Sequence, residues 1–120
     1  MESRVMTLFI SYPKCTTCIK AKKFLQNKNI DFVERHIVEE NPTKEELTKW
    51  ISQSNLEIKK FFNTSGKLYK EMGLKDKLKV MTDEEKIDLL STNGMLVKRP
   101  ILIKEDLVLV GFKEDEYNNL

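Results

Sequence analysis

The chain has 120 residues, of which 40% are hydrophobic and 33% charged, a size and composition that fit one domain around one core. The formal net charge is +2 with the two signs interspersed, which gives no basic face for direct nucleic-acid binding. No apolar run approaches the roughly 20 residues that cross a bilayer, and Val5 to Ile10 is too short for a secretory leader, so the expectation is a cytoplasmic monomer.

Val5 to Ile10 is β-branched and aromatic and predicts a first strand. Tyr12-Pro13-Lys14 is a turn, and a helix follows from about Thr16 to Lys28 with Cys18, Ala21 and Leu25 on one face. Ile30 to Val38 predicts a second strand, so the opening reads as a βαβ unit with parallel strands. Thr43-Lys44-Glu45-Glu46 and Thr82-Asp83-Glu84-Glu85 are capping-box patterns, each starting a helix. Between them, shorter helices are expected at Leu56 to Phe62 and at Ser65 to Met72, the latter closed by Gly73 as a left-handed cap. Trp50 lies at helical spacing with Leu47 and reads as a core anchor. Ile101 to Ile103 and Leu107 to Val110 predict a hairpin through Lys104-Glu105-Asp106, and Glu114 to Leu120 a last short helix. The order βαβ, helices, ββα is that of an α/β, thioredoxin-like (glutaredoxin-like) mixed sheet with a helical insertion at about 43–92 between its halves.

The two cysteines, Cys15 and Cys18, sit where the first strand passes into the first helix. A disulfide at this spacing closes too short a loop to stabilise much, so the pair reads as redox chemistry rather than as a staple. Amides left free at a helix start, and the positive end of the helix dipole, favour a thiolate at Cys15. Lys14 adds a positive charge beside it. Cys15 is therefore the expected nucleophile and Cys18 the more buried thiol that resolves a mixed disulfide. A zinc site would need four ligands, and the single histidine, His36, stands in a strand without a partner motif; neither metal nor cofactor is expected. Arg99-Pro100 opens the third strand. A cis bond there would set Pro100 beside the cysteine loop and bring Arg99 within reach of a thiolate or an oxyanion. Asn63-Thr64-Ser65 reads first as a cap for the helix that follows and second as a lining of the cysteine pocket.

Four blocks together, Tyr12-Pro13-Lys14-Cys15-Thr16-Thr17-Cys18, Phe61-Phe62-Asn63-Thr64-Ser65-Gly66, Leu96 to Ile101 and Val110-Gly111-Phe112, resemble the arsenate reductase-like ArsC/Spx family, and within it a branch of Gram-positive bacteria. The resemblance spans nearly the whole chain and implies the same fold. It implies a nucleophilic cysteine at Cys15 and, for arsenate reduction coupled to glutaredoxin, an oxyanion held by three arginines. Arg99 matches one; Asn63 stands at the second, and Val110 or Gly111 at the third. The Spx-type regulators of the family imply a redox switch, matched by Cys15 and Cys18, and binding to the RNA polymerase α subunit. The glycine and arginine of that contact fall near Glu57 and Ser52, where this chain departs. Three functions follow as expectations. The first is a thiol–disulfide oxidoreductase or thiol reductase whose partner is a protein or low-molecular-weight thiol or disulfide. The second is a redox-sensing regulator, and the third an arsenate reductase, disfavoured by the missing arginines.

Overall fold

A computed structural model describes residues 6–120, so Val5 of the expected first strand lies outside the described residues. Strand β1 spans Thr7–Ser11, helix α1 Thr16–Asn27 and strand β2 Val33–His36. Four short helices follow, α2 Lys44–Ser54, α3 Lys67–Glu71, α4 Leu74–Lys77 and α5 Asp83–Leu90, and then β3 Ile101–Lys104, β4 Leu107–Val110 and α6 Glu114–Asn118. The sheet order is β2-β1-β3-β4, with β1 parallel to β2 and antiparallel to β3, and β3 antiparallel to β4. This is the thioredoxin-like arrangement with a helical insertion between its halves.

Register explains how the sheet makes two cores. Residues paired across a sheet share a face, and neighbours along a strand point to opposite faces. Phe9 pairs with Leu102, which pairs with Leu109. These three meet Ala21 and Leu25 of α1 and Tyr117 of α6. Ile10 pairs with Ile101, and both face the insertion, where Leu47, Trp50, Phe61, Phe62, Leu74 and Leu90 fill the second core. Trp50 is thus the anchor its spacing predicts, and Arg35 lies over its ring at 5.9 Å.

Both capping boxes form. Thr43 Oγ1 accepts from the Glu46 amide at 3.1 Å while Glu46 accepts from the Thr43 amide at 3.0 Å, and Thr82 and Glu85 repeat the arrangement at 3.1 and 2.8 Å. Glu46 also receives both terminal nitrogens of Arg35, at 2.7 and 2.8 Å, which ties α2 to β2. The hydrogen bonds from Arg35 hold the Glu46 carboxyl below its ordinary range against the opposing effect of burial.

Several expected elements are shorter. The second strand pairs only over Val33–His36, because its edge has one neighbour and Val33 is exposed. Leu56 to Phe62 contracts to a 3₁₀ turn at Ile58–Phe61, which buries Phe61 and Phe62 and then hands the chain to an isolated bridge between Phe62 and Val97. Gly73 does take the left-handed conformation (φ 65°), but it links α3 to α4 rather than ending the helical run. Asn63-Thr64-Ser65 does not cap α3. The Gly66 amide bonds back to the Asn63 carbonyl at 3.0 Å, and this turn puts Gly66 itself at the cap position with no side chain to offer.

Gly94 begins the turn that leads to Arg99. A Cβ there would sit 2.1 Å from the Ile37 carbonyl oxygen, so no side chain fits without moving backbone. Gly94→Ala is expected to cost about 3 kcal/mol in urea unfolding, the upper end for overpacking, against about 1 kcal/mol for loss of the helix cap in Thr82→Ala.

Candidate functional site

β1 ends at Ser11, and Tyr12-Pro13-Lys14 carries the chain round to α1. The Cys15 amide bonds the Tyr12 carbonyl at 3.0 Å, which closes the turn and leaves Cys15 extended (φ −91°, ψ 116°) at the helix N-cap. Its Sγ accepts from the Cys18 amide at 3.4 Å. A hydroxyl or carboxylate oxygen usually takes this place. Here a sulfur does, and it gains from ionising. Cys18 lies one turn on, 2% exposed, and both cysteines are free thiols.

The two thiols are pushed apart in acidity. Burial acts most strongly on Cys15 and would raise its pKa, but hydrogen bonding to the Cys18 side chain and amide, together with the charge of Arg99, outweighs it and leaves the thiol below its ordinary value. Cys18 is pushed up to about 12, by burial first, which outweighs a hydrogen bond from the Tyr12 backbone and the charge of Arg99, and then by its bond to Cys15 and the charge that Cys15 carries. Cys15 is therefore the more readily ionised of the two sulfurs.

Arg99 reaches the site from the segment that enters β3. The Arg99-Pro100 bond is cis. The guanidinium lies 5.1 Å from the Tyr12 ring centroid and donates weakly to the Met95 carbonyl at 3.5 Å. Pro100 is buried, and its carbonyl accepts from the Gly111 amide at 2.8 Å, which ties the cis-proline segment to the end of β4. Asn63 is brought beside Arg99 by a short ladder: its amide bonds the Leu96 carbonyl at 2.8 Å, and the Lys98 amide bonds the Phe61 carbonyl at 2.7 Å. Asn63 and Arg99 line one recess of 270 Å³ with Gly66, Lys67 and Met95. Gly66 makes this possible, since a Cβ there would lie 2.6 Å from Asn63 Nδ2. Lys14 is exposed and has no hydrogen bond or ion pair among the described residues, so the cation that acts on Cys15 is Arg99. Arg35 is committed to Glu46 and Trp50, and Asn63, Val110 and Gly111 bring no positive charge to the sulfur.

A second cleft, of 480 Å³, opens on the Cys18 side and is lined by Ser11, Tyr12, Cys18, Lys22, Glu34 and His36. Its floor is a small network in which Ser11 Oγ and Lys22 Nζ donate to the two oxygens of Glu34, at 2.9 and 2.8 Å. His36 Nδ1 accepts from the amides of Val38 and Glu39, both at 3.1 Å, and its ring meets the edge of Tyr12. His36 therefore caps the turn after β2. Sequence reasoning missed the Ser11–Glu34–Lys22 network, because its members lie on three elements and only the β1–β2 register brings them together. Among the described residues, no cluster of three His, Cys, Asp or Glu side chains is placed to hold a metal.

Comparison with known proteins bears on the family and the fold. The model of the ArsC family matches residues 10–120. The Bacillus subtilis protein YusI is 50% identical over 109 residues, covering 91% of this chain and 92% of that one. The regulatory protein MgsR of Bacillus subtilis is 35% identical over 108 residues, covering 90% of this chain and 84% of that one. The crystal structure of an ArsC family related protein from Bacteroides fragilis superposes with a TM-score of 0.92 at 57% identity, covering 94% of this chain and 95% of that one.

Alkylation of the reduced protein with iodoacetamide should modify Cys15 with a pH midpoint below that of a free thiol, while Cys18 stays unreactive through neutral pH. Arg99→Ala should move the Cys15 midpoint upward, and Lys14→Ala should leave it in place. Mass spectrometry of the modified peptides reads both.

Proposed function

This chain belongs to the ArsC family, and on that premise we propose that it is a thiol–disulfide oxidoreductase in which Cys15 attacks and Cys18 resolves. The observation that carries the reading is the opposite displacement of the two thiols, Cys15 downward and Cys18 up to about 12, within one turn of α1. A nucleophile must be ionised at working pH, and a resolving thiol must wait until it is needed.

In this reading Cys15 thiolate attacks one sulfur of a substrate disulfide. The Cys15–substrate bond forms, the substrate S–S bond breaks, and the second substrate sulfur leaves as a thiolate that takes a proton from water. Cys15 has then lost its charge, which removes one of the causes that keep Cys18 protonated. Cys18 gives its proton to solvent and attacks the Cys15 sulfur, and the remaining substrate sulfur departs with the bonding pair. The substrate disulfide is reduced by two electrons and the protein ends as a Cys15–Cys18 disulfide. A protein dithiol or a low-molecular-weight thiol restores it, which suits a cytoplasmic monomer in a reducing compartment. Arg99, Pro100 and Asn63 are the substrate-facing wall beside the attacking sulfur, with Lys14 on its outer rim.

Arsenate is a poorer fit. A doubly charged oxyanion is held by several charge-assisted bonds, and Arg99 is the single arginine at this sulfur among the described residues. The similarity to the regulatory protein MgsR favours a second reading, a redox-gated binding protein whose partner affinity changes on oxidation of the pair. The RNA polymerase α subunit is the partner to test for it.

Cys18→Ser should accumulate mixed disulfides at Cys15 when expressed in cells. These should be visible on non-reducing gels, absent in Cys15→Ser, and identifiable by mass spectrometry. Adducts with thiol reductants or disulfide substrates support an oxidoreductase. No adduct on a Cys15 that still alkylates readily would contradict it, and partner capture that follows the redox state without turnover would favour the regulator.

A further inference from the structure

The longest run of the sequence without Asp or Glu lies between Glu2 and Asp31, and within it α1 and its flanks carry Lys14, Lys20, Lys22, Lys23 and Lys28. Lys22 is paired with Glu34, and Lys28 donates to the Asn118 side chain at 3.2 Å and lies over the Phe24 ring. Lys14, Lys20 and Lys23 are exposed and have no hydrogen bond or ion pair among the described residues. Lys20 and Lys23 stand three positions apart on α1, where like charges repel. An anion from outside the chain would relieve that repulsion.

The same two lysines line an open groove of 730 Å³ with Thr17, Phe24, Phe112 and Glu114. Thr17 lies between the two cysteines, so the groove opens at the reactive pair. Its apolar wall is Phe24 against Phe112, two half-buried rings that meet edge to face with centroids 5.6 Å apart. Lys20 and Lys23 against Glu114 leave the lining net positive, and Lys14 adds an exposed charge next to Cys15. From Cys15 to these lysines α1 rises about 8 to 12 Å, a span that an extended chain covers in about two to four residues. A small thiol at Cys15 does not extend that far, and a polypeptide does.

We infer that this groove is the docking site for a short acidic segment of the partner protein. Carboxylates about two to four residues from the partner's reacting cysteine meet Lys20 and Lys23, and an apolar side chain beside them lies over Phe24 and Phe112. The inference rests on the Cys15–Cys18 reading proposed above and adds the chemistry of the partner to it. Complementary charge at such a face speeds encounter and fixes register more than it adds affinity. The carboxylates of α6, Glu114, Asp115 and Glu116, bound the positive strip on its far side, so the acidic part of the segment is short. A nucleic-acid backbone would need a longer basic track and would run into those carboxylates.

The test uses the full-length reduced protein and three synthetic peptides that differ only in charge. Each holds one cysteine, with Glu, Gln or Lys at the second to fourth positions on either side and a leucine beyond them. Each is supplied as the mixed disulfide with a chromogenic aromatic thiol (5-thio-2-nitrobenzoate). Cys15 thiolate attacks the peptide sulfur, the Cys15–peptide bond forms, and the nitrobenzoate thiolate leaves with the bonding pair and is read by its colour. Dividing each rate by that of free 2-mercaptoethanol on the same compound removes differences in intrinsic reactivity. The Glu peptide should react about tenfold faster than the Lys peptide at low salt, and the two rates should converge near 1 M salt, where screening acts within about 3 Å. Lys20→Gln combined with Lys23→Gln should remove most of the preference, and Lys75→Gln, on α4 of the insertion, should leave it in place. Equal rates for the three peptides in the wild-type protein would overturn the inference. A full preference retained in the double variant would also overturn it and assign the charge effect to Arg99 or Lys14. So would inhibition by a single-stranded oligonucleotide equal to that by a Glu peptide without cysteine, which would mark the face as a nucleic-acid contact. Failure of the wild-type protein to cleave any of the three compounds would overturn the reading of the pair, and the docking site with it.

Discussion

The first turn of α1 exposes amides that have no carbonyl to meet, and a sulfur takes the place where an oxygen would usually close it. The bond from the Cys18 amide to Cys15 Sγ ties the local fold to the chemistry. It makes Cys15 part of the helix start, so the group that caps the helix is also the group proposed to react. The same bond sets the order of the two thiols, since a cap must lie outside the helix and the residue three positions on must lie within it. The difference in exposure and acidity follows from that one placement, and the proposed sequence of action with it.

The rest of the fold serves to hold this turn. Pairing of β1 with β3 brings the Arg99-Pro100 segment alongside, and the short ladder of 61–63 with 96–98 brings Asn63 to the same wall. The insertion anchors that ladder by burying Phe61, Phe62 and Leu96 beneath the sheet. On the opposite face, α1 and α6 share a core in which Tyr117 is sealed. The two faces thus divide the labour: one supports the recess that Asn63 shares with Arg99, and the other surrounds the helix face that carries Cys18.

Much of this could be read from the chain because its signals are local. The capping boxes at Thr43 and Thr82 involve residues three apart, and the cysteine pair sits between an apolar strand and an amphipathic helix. Arg99-Pro100 was legible as a site neighbour only through the topology that the element order implies. Of the two readings of Asn63, the helix cap fails, because the turn that moves the cap to Gly66 depends on a backbone bond rather than on residue type. Lys14, adjacent to Cys15 in sequence, carries less electrostatic weight than Arg99, which is distant in sequence and close in space. The Ser11–Glu34–Lys22 network and the groove that Phe112 shares with α1 leave no local trace, since each is made by side chains that meet only after the sheet and helices pack.

The central claim is that Cys15 and Cys18 exchange two electrons as a pair. Equilibration of the protein in buffers of reduced and oxidised dithiothreitol or glutathione, followed by acid quench and intact-mass measurement, tests it most directly. The account predicts a reversible two-electron transition to a species lighter by two hydrogens, with a Cys15–Cys18 disulfide in the peptide map. Oxidation that stops at Cys15 alone, as an oxygen adduct or a disulfide-linked dimer with Cys18 still free, would contradict it.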